Sequence, residues 1–198
     1  MFQYRIAIIG NPQSPDTRYD HSQLQAVKEL GFNTIQLNIA WGSRPADEPL
    51  NLEDIFTPAN EPPTLRIQQR FIEIQRRARR CKEYGFRTIF HFGAPSVQQL
   101  YKTLSDPQAV DRATEKYSIQ NPEIVAMYLY FLEQLATQIP EVDDILVYNF
   151  DQEAWLGNEF GDDTLARGIP LYERVPQFLN QLCQQWRKLK PAGILWWE

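Results

Sequence analysis

The sequence predicts an α/β fold in which a single domain, residues 1–198, alternates strands with helices. Short apolar runs rich in β-branched residues follow longer segments whose apolar residues recur at helical spacing. Two helical segments also end at a glycine directly before a strand, in the near copies KELGFNTIQLN and KEYGFRTIFHF. Alternation of this kind is typical of parallel strands joined by crossover helices.

Five strands are predicted from apolar runs bounded by turn residues, at 4–10, 33–40, 87–92, 145–150 and 193–197. Four main helices are predicted at 21–30, 64–84, 123–138 and 171–188. The first two helices end before Gly31 and Gly85, because glycine adopts the left-handed conformation that closes many helices. Pro122 suits the first turn of the third helix.

Two connections are longer than the others. The segment 41–63 carries five prolines and is predicted to contain no regular structure. The segment 93–122 is predicted to be mixed and partly helical around 96–104. Both connections follow a strand, whereas the connections that lead from a helix to the next strand are short.

The position of the long loops separates two α/β architectures, the open doubly wound sheet and the (β/α) barrel. Gly10 is not followed by the later glycines of a G-x-G-x-x-G fingerprint, and no P-loop is present, so no cofactor is predicted. Long strand-to-helix loops favour a TIM-type barrel, whose C-terminal face carries the active site. A closed barrel needs about eight strands and roughly 250 residues. The five predicted strands therefore indicate the N-terminal part of a barrel, or a partial barrel that forms a homodimer.

Composition restricts the partners that are expected. A net charge of -5 argues against a nucleic-acid partner. The basic residues within 76–82 follow a helical pattern and are predicted to form a solvated helix face. Cys81 and Cys183 lie far apart in helical segments and predict neither a disulfide framework nor a metal site. No signal-peptide pattern and no apolar run of membrane length occurs, so a cytoplasmic protein without a membrane partner is the expectation.

Polar and aromatic side chains cluster where the predicted strands end. The fourth strand leads into Asn149, Asp151 and Glu153, which alternate and therefore point to one side of an extended chain, and Trp155 continues the series. Burying two unpaired carboxylates in a core would cost roughly several kcal/mol each, so the mouth of a cleft is favoured. The other strand ends contribute Asn11, Asn38, Trp41, Arg44, His91 and Glu198.

This set of side chains suits a small-molecule or oligosaccharide substrate, because sugar faces stack on aromatic rings and hydroxyls bond carboxylates and amides. The N-x-D-x-E pattern of Asn149, Asp151 and Glu153 resembles glycoside hydrolases. It is similar to the chitinase motif D-x-D-x-E, with Asn149 in the first position, and to the Asp–Glu pair of β-N-acetylhexosaminidases. The resemblance implies that Glu153 is the general acid. It also implies that Asp151 orients the acetamido group of the substrate, which serves as nucleophile.

Other interpretations remain open at this stage. Structural ion pairs with Arg44 or Arg167 are an alternative explanation of the carboxylate pair. His91 is more readily explained as a hydrogen-bonded residue of the core or rim than as a base, and a divalent metal held by His91 and the two carboxylates is a further reading. The functional hypotheses are therefore a glycoside hydrolase-like barrel, a non-catalytic carbohydrate-binding barrel fragment, and a metal-dependent isomerase or lyase of the barrel type.

Overall fold

The structure is a computed structural model that describes residues 3–9, 19–38, 52–56, 65–93, 110–111, 116–148 and 165–198. Its strands are β1 (Ile6–Ile8), β2 (Thr34–Gln36), β3 (Arg87–Gly93), β4 (Val110–Asp111), β5 (Lys116–Tyr117), β6 (Asp144–Tyr148) and β7 (Leu195–Trp197). A parallel five-stranded sheet has the order β1-β2-β3-β6-β7, which confirms the predicted parallel α/β architecture. The unpredicted strands β4 and β5 form a separate antiparallel pair.

The helices are α1 (His21–Glu29), α2 (Leu52–Phe56), α3 (Leu65–Glu83), α4 (Pro122–Gln138) and α5 (Leu171–Leu189). The four longer helices confirm the four predicted ones, with each end within one residue of the expected position. None of the helices in the described part of the chain has the length and apolarity needed to cross a membrane.

The helix α2 shows that the prediction of no regular structure in 41–63 was wrong. Its sequence, LEDIF, lies between Pro49 and Pro58 and contains no proline, so a short helix can form there. Leu52 and Phe56 are buried, and the ring of Phe56 packs edge-on against Phe71 of α3 at 5.8 Å between centroids. The predicted helical turn at 96–104 lies outside the described residues.

The repeated joint between a helix and the next strand has the same hydrogen bonds in both copies. At the end of α1, the N–H of Gly31 donates to the carbonyl of Lys28 at 2.9 Å, and the N–H of Phe32 donates to that of Val27 at 3.2 Å. The end of α3 repeats both bonds around Gly85. This is the Schellman arrangement, and it needs the positive φ of 81° and 76° that the two glycines adopt.

The four longer helices cover one face of the parallel sheet. Parallel strands in sequential order with right-handed crossovers place their helices on a single side. Phe92 of β3 accordingly packs against Tyr128 of α4, and Tyr128 packs against Phe178 of α5, with centroids 6.1 and 5.8 Å apart. The strand residues on this face join the main core and are Ile35, Leu37, Phe90, Phe92, Ile145 and Val147.

The opposite face of the sheet is concave. Tyr4, just before β1, packs edge-on against Trp196 of β7 with ring centroids 5.4 Å apart, although β1 and β7 are the outer strands of the sheet. In a flat sheet these strands would lie about 19 Å apart, because neighbouring strands are spaced by about 4.8 Å. The contact therefore requires strong curvature, and the guanidinium of Arg87 lies over the Tyr4 ring at 5.8 Å on this same face.

Candidate functional site

The carboxyl ends of β2, β3 and β6 bring four polar side chains together on the concave face. Gln36 ends β2, Asn38 follows it by two residues, His91 lies in β3, and Tyr148 ends β6. All four side chains are buried. They share one face because side chains alternate along a strand and the registers of β2, β3 and β6 align these positions. We refer to Gln36, Asn38, His91 and Tyr148 as the strand-end cluster.

The Asn38 side chain continues the pairing between β2 and β3. Its Nδ2 donates to the His91 carbonyl oxygen at 2.6 Å, and its Oδ1 accepts from the His91 backbone N–H at 2.8 Å. An amide side chain thus takes the place of a backbone peptide group at the position where the β2 ladder stops. This exchange fixes the separation of the two chains at the edge of the site.

The imidazole of His91 is held from two sides. Its Nδ1 lies 2.9 Å from Nε2 of Gln36, which also donates to the backbone carbonyl of Asn38 at 2.9 Å. The ring of Tyr148 meets the imidazole edge-on, with centroids 5.7 Å apart and an interplanar angle of 82°. Edge-to-face contacts of this kind favour one ring orientation, so the position of His91 is well defined.

Two residues that sequence reasoning missed support the cluster from behind. Arg77 of α3 donates to the carbonyl oxygen of Leu37 at 3.3 Å, and its guanidinium lies 4.9 Å from the ring centroid of Tyr19. The Tyr19 hydroxyl donates to the backbone oxygen of Gln36 at 3.4 Å. Burial raises the pKa of Tyr19 even though Arg77 opposes that shift, so the phenol remains a protonated donor.

The prediction that the basic residues of 76–82 form a solvated helix face is wrong for Arg77. The Arg77 side chain is only 7% exposed, because it reaches across the sheet end to the carbonyl of Leu37. It is balanced by Glu73, one turn earlier, at 3.0 Å. Arg76 and Arg80 remain more exposed, at 45% and 37%. The only hint in the sequence was the i, i+4 spacing of Glu73 and Arg77.

Three of the ten predicted site residues lie in the described part of the chain, namely Asn38, His91 and Glu198. The first two meet in the strand-end cluster. Glu198 is exposed and continues β7, because its N–H donates to the carbonyl of Val147 at 3.1 Å. The other seven lie outside the described residues and are Asn11, Trp41, Arg44, Asn149, Asp151, Glu153 and Trp155. Within the described ranges, no group of three His, Cys, Asp or Glu side chains is arranged to hold a metal ion.

Comparison with known proteins gives a likeness in fold. No protein-family model matches the chain, and no curated protein matches its sequence. Solved structures do match. A β-N-acetylhexosaminidase aligns with a TM-score of 0.55 at 15% identity, over 89% of this chain and 42% of its own. The exo-β-1,4-mannosidase Op5Man5 from Opitutaceae bacterium strain TAV5 aligns at 0.53 and 15% identity, over 96% of this chain and 30% of its own.

A third structure, the cold-adapted β-galactosidase from Rahnella sp. R3, aligns with a TM-score of 0.54 at 11% identity, over 97% of this chain and 35% of its own. All three neighbours are named as enzymes that act on glycosides. This chain shares the fold of the part of each neighbour that it covers. The chain spans between 30% and 42% of the length of these neighbours. At identities this low, the likeness shows a shared architecture only. The chemistry has to be argued from the residues of the site.

Proposed function

We propose that the chain forms part of a (β/α) TIM-type barrel and that its concave face carries the carbohydrate site of a glycoside hydrolase. The observation that carries this proposal is the buried strand-end cluster at the carboxyl ends of β2, β3 and β6. Active sites of such barrels lie at this end of the strands. The helices on a single face, the curvature that brings Tyr4 to Trp196, and the glycoside hydrolase-like fold all support the same assignment.

The chemistry of the cluster suits a neutral polyhydroxyl ligand. Its side chains are two amides, an imidazole and a phenol, which offer hydrogen-bond donors and acceptors rather than a fixed charge. A phosphate or carboxylate ligand would call for cationic donors. Arg77, the cation that the structure places next to the cluster, is directed to the Leu37 carbonyl and to Glu73. The described part of the site therefore suits a sugar.

The reaction is assigned to the carboxylates that follow β6. Glu153 acts as the general acid and protonates the leaving oxygen, and Asp151 stabilises the developing positive charge or orients an acetamido group of the substrate. Both follow the strand whose last described residue, Tyr148, belongs to the strand-end cluster. The substrate-binding residues proposed with them are Asn11, Asn38, Trp41, Arg44, His91, Asn149, Trp155 and Glu198.

The test compares aryl glycosides that carry good and poor leaving groups. Glu153→Gln should lower kcat/KM by roughly 10²–10⁴-fold on a poor leaving group, which needs protonation, and by less on a good one. Asp151→Asn should lower the rate on both substrates. Glu173→Gln, on the exposed start of α5, is the matched control and should leave both rates unchanged. An equal loss for Glu153→Gln on both leaving groups would remove its assignment as the acid.

A non-catalytic carbohydrate-binding barrel fragment is the second candidate. It is favoured by the strand-end cluster, whose four described side chains are hydrogen-bonding groups without a carboxylate among them. Calorimetric titration with the same sugars separates the two functions. Heat of binding without turnover supports the binding fragment, whereas turnover supports the hydrolase.

A further inference from the structure

We propose that Gln36 fixes His91 as the neutral tautomer that carries its hydrogen on Nε2, which makes the imidazole an oriented hydrogen-bond donor. Gln36 is then a positioning residue of the candidate site. The tautomer itself follows from the contacts of the two side chains. Only its use toward a sugar rests on the proposed function.

The orientation of the Gln36 amide is determined by a backbone carbonyl. Nε2 of Gln36 lies 2.9 Å from the carbonyl oxygen of Asn38, which can only accept a hydrogen bond. If the amide were reversed, two oxygen atoms would face each other at that distance and would repel. The group next to the Asn38 carbonyl is therefore the amide nitrogen, which has two hydrogens to donate.

The second hydrogen of that nitrogen determines the state of His91. Nε2 of Gln36 also lies 2.9 Å from Nδ1 of His91, and an amide nitrogen offers no lone pair to a donor. Nδ1 must therefore accept, so it carries no hydrogen. In a neutral imidazole the hydrogen then lies on Nε2. Adding a proton at Nδ1 would place two donors against each other and would require Gln36 to leave the Asn38 carbonyl.

The surrounding contacts keep both partners in place. The backbone oxygen of Gln36 accepts from the Tyr19 hydroxyl, and the backbone of His91 exchanges two hydrogen bonds with the Asn38 side chain. Among the described residues, the Gln36 amide and the Tyr148 ring contact the imidazole, and the Asn38 amide bonds the His91 backbone. Neither amide can take up a proton from His91.

The tautomer determines which hydrogen bonds His91 can donate and whether it can act as a base or bind a metal ion. An imidazole with a hydrogen on Nε2 and an occupied Nδ1 donates one hydrogen bond, as recognition of a hydroxyl oxygen requires. It does not act as a base at Nδ1. It also cannot bind a metal ion through Nε2 unless the hydrogen moves to Nδ1, which Gln36 opposes. The arrangement therefore favours a binding role for His91 over the metal-dependent alternative.

The experiment records two-bond ¹H–¹⁵N correlations of the imidazole nitrogens in ¹⁵N-labelled protein near pH 7. The chain has two histidines, and the variant His21→Gln removes the other imidazole, so the signals of His91 are identified directly. The expected spectrum of the wild type shows a lone-pair (pyridine-type) shift at Nδ1 and a hydrogen-bearing (pyrrole-type) shift at Nε2. A hydrogen-bearing Nδ1, or shifts averaged between the two tautomers, would overturn the proposal.

A matched pair of variants tests the role of Gln36. Gln36→Glu replaces the donor with an acceptor of similar size and should move Nδ1 of His91 to a hydrogen-bearing shift. Gln184→Glu, on the exposed side of α5, adds the same charge and should leave the His91 shifts unchanged. A folded Gln36→Glu protein with an unchanged Nδ1 shift would contradict the proposal. If that variant does not fold, the wild-type spectrum decides alone. The readout does not depend on hydrolysis, so a failure of the proposed function is seen separately.

Discussion

The buried carboxylate of Asp144, on the concave face at the start of β6, makes stability depend on Arg87. The two form a bidentate pair, with Nε to Oδ2 at 2.5 Å and Nη2 to Oδ1 at 2.6 Å. Asp144 also accepts from the backbone N–H of Ile194 at 2.8 Å, and Arg87 donates to the carbonyl of Ala192 at 2.5 Å. The pair therefore joins β3 and β6 to the turn that leads into β7.

The side chains of Asp144 and Arg87 are buried to different degrees, and this difference sets the loss of stability expected for each variant. The Asp144 side chain is fully buried, whereas that of Arg87 is 25% exposed. Arg87→Leu leaves a buried charge with one described donor, which should cost about 3 kcal/mol, the low end for a broken buried pair, because water can reach the vacated space. Asp144→Asn keeps the size and the acceptor for Ile194 and should cost about 1–2 kcal/mol.

The assay is urea unfolding of the two single variants, the double variant and the control Arg187→Leu, on the exposed side of α5. Adding Asp144→Asn to Arg87→Leu should recover about 1 kcal/mol or more, because the uncompensated charge is gone. The control should change the free energy of unfolding by less than about 0.5 kcal/mol. If Arg87→Leu costs no more than the control, or if the double variant is the sum of the two single ones, the reasoning about a buried charge fails.

Two further predictions concern the buried side of α3. Burial raises the pKa of Cys81 to about 12, so native Cys183→Ser protein should react with Ellman's reagent only after denaturant is added; fast native labelling would contradict this. For Glu73, burial raises the pKa, but hydrogen bonds from Arg76 and Arg77 outweigh it, so the folded value lies below 4.5. The contribution of Glu73 to the free energy of unfolding is therefore present above pH 4.5 and is lost as the pH falls further. Urea unfolding should show Glu73→Gln costing under about 1 kcal/mol at pH 7 and less at about pH 3, whereas a larger cost in acid would contradict the sign.

Local signals in the sequence were sufficient to predict the longer helices. Asp20 caps α1 by accepting from the N–H of Gln23 at 3.0 Å, and Asn121 caps α4 by accepting from Glu123 at 2.9 Å. Like the terminal glycines and the apolar spacing that predicted these helices, the two caps depend only on residues near each other in the chain. α2 was missed for the opposite reason. A helix of five residues flanked by two prolines gives a weak local pattern, and burial of Leu52 and Phe56 stabilises the helix.

The candidate site was predictable only in outline. Parallel strands bring their carboxyl ends to one edge of a sheet, so the proximity of Asn38 and His91 followed from counting strands. The contacts of Gln36 and Arg77 could not be predicted from the strand order. In the local sequence, Gln36 has the pattern of an ordinary strand residue, and Arg77 is one of several cations in a basic segment. Their partners are 55 and 40 residues away in the chain.

The sequence by itself determined the order of strands and helices and the Schellman joints, because each depends on residues close together in the chain. The parallel pairing was predicted from the alternation of strands and helices along the chain. The tertiary structure alone decided that the sheet curves until Tyr4 meets Trp196, that Asn38 bonds the backbone of β3, and that His91 faces the Gln36 amide. Those contacts depend on the register between strands and on curvature accumulated over five strands. No local pattern encodes either quantity, since both arise when distant segments pack.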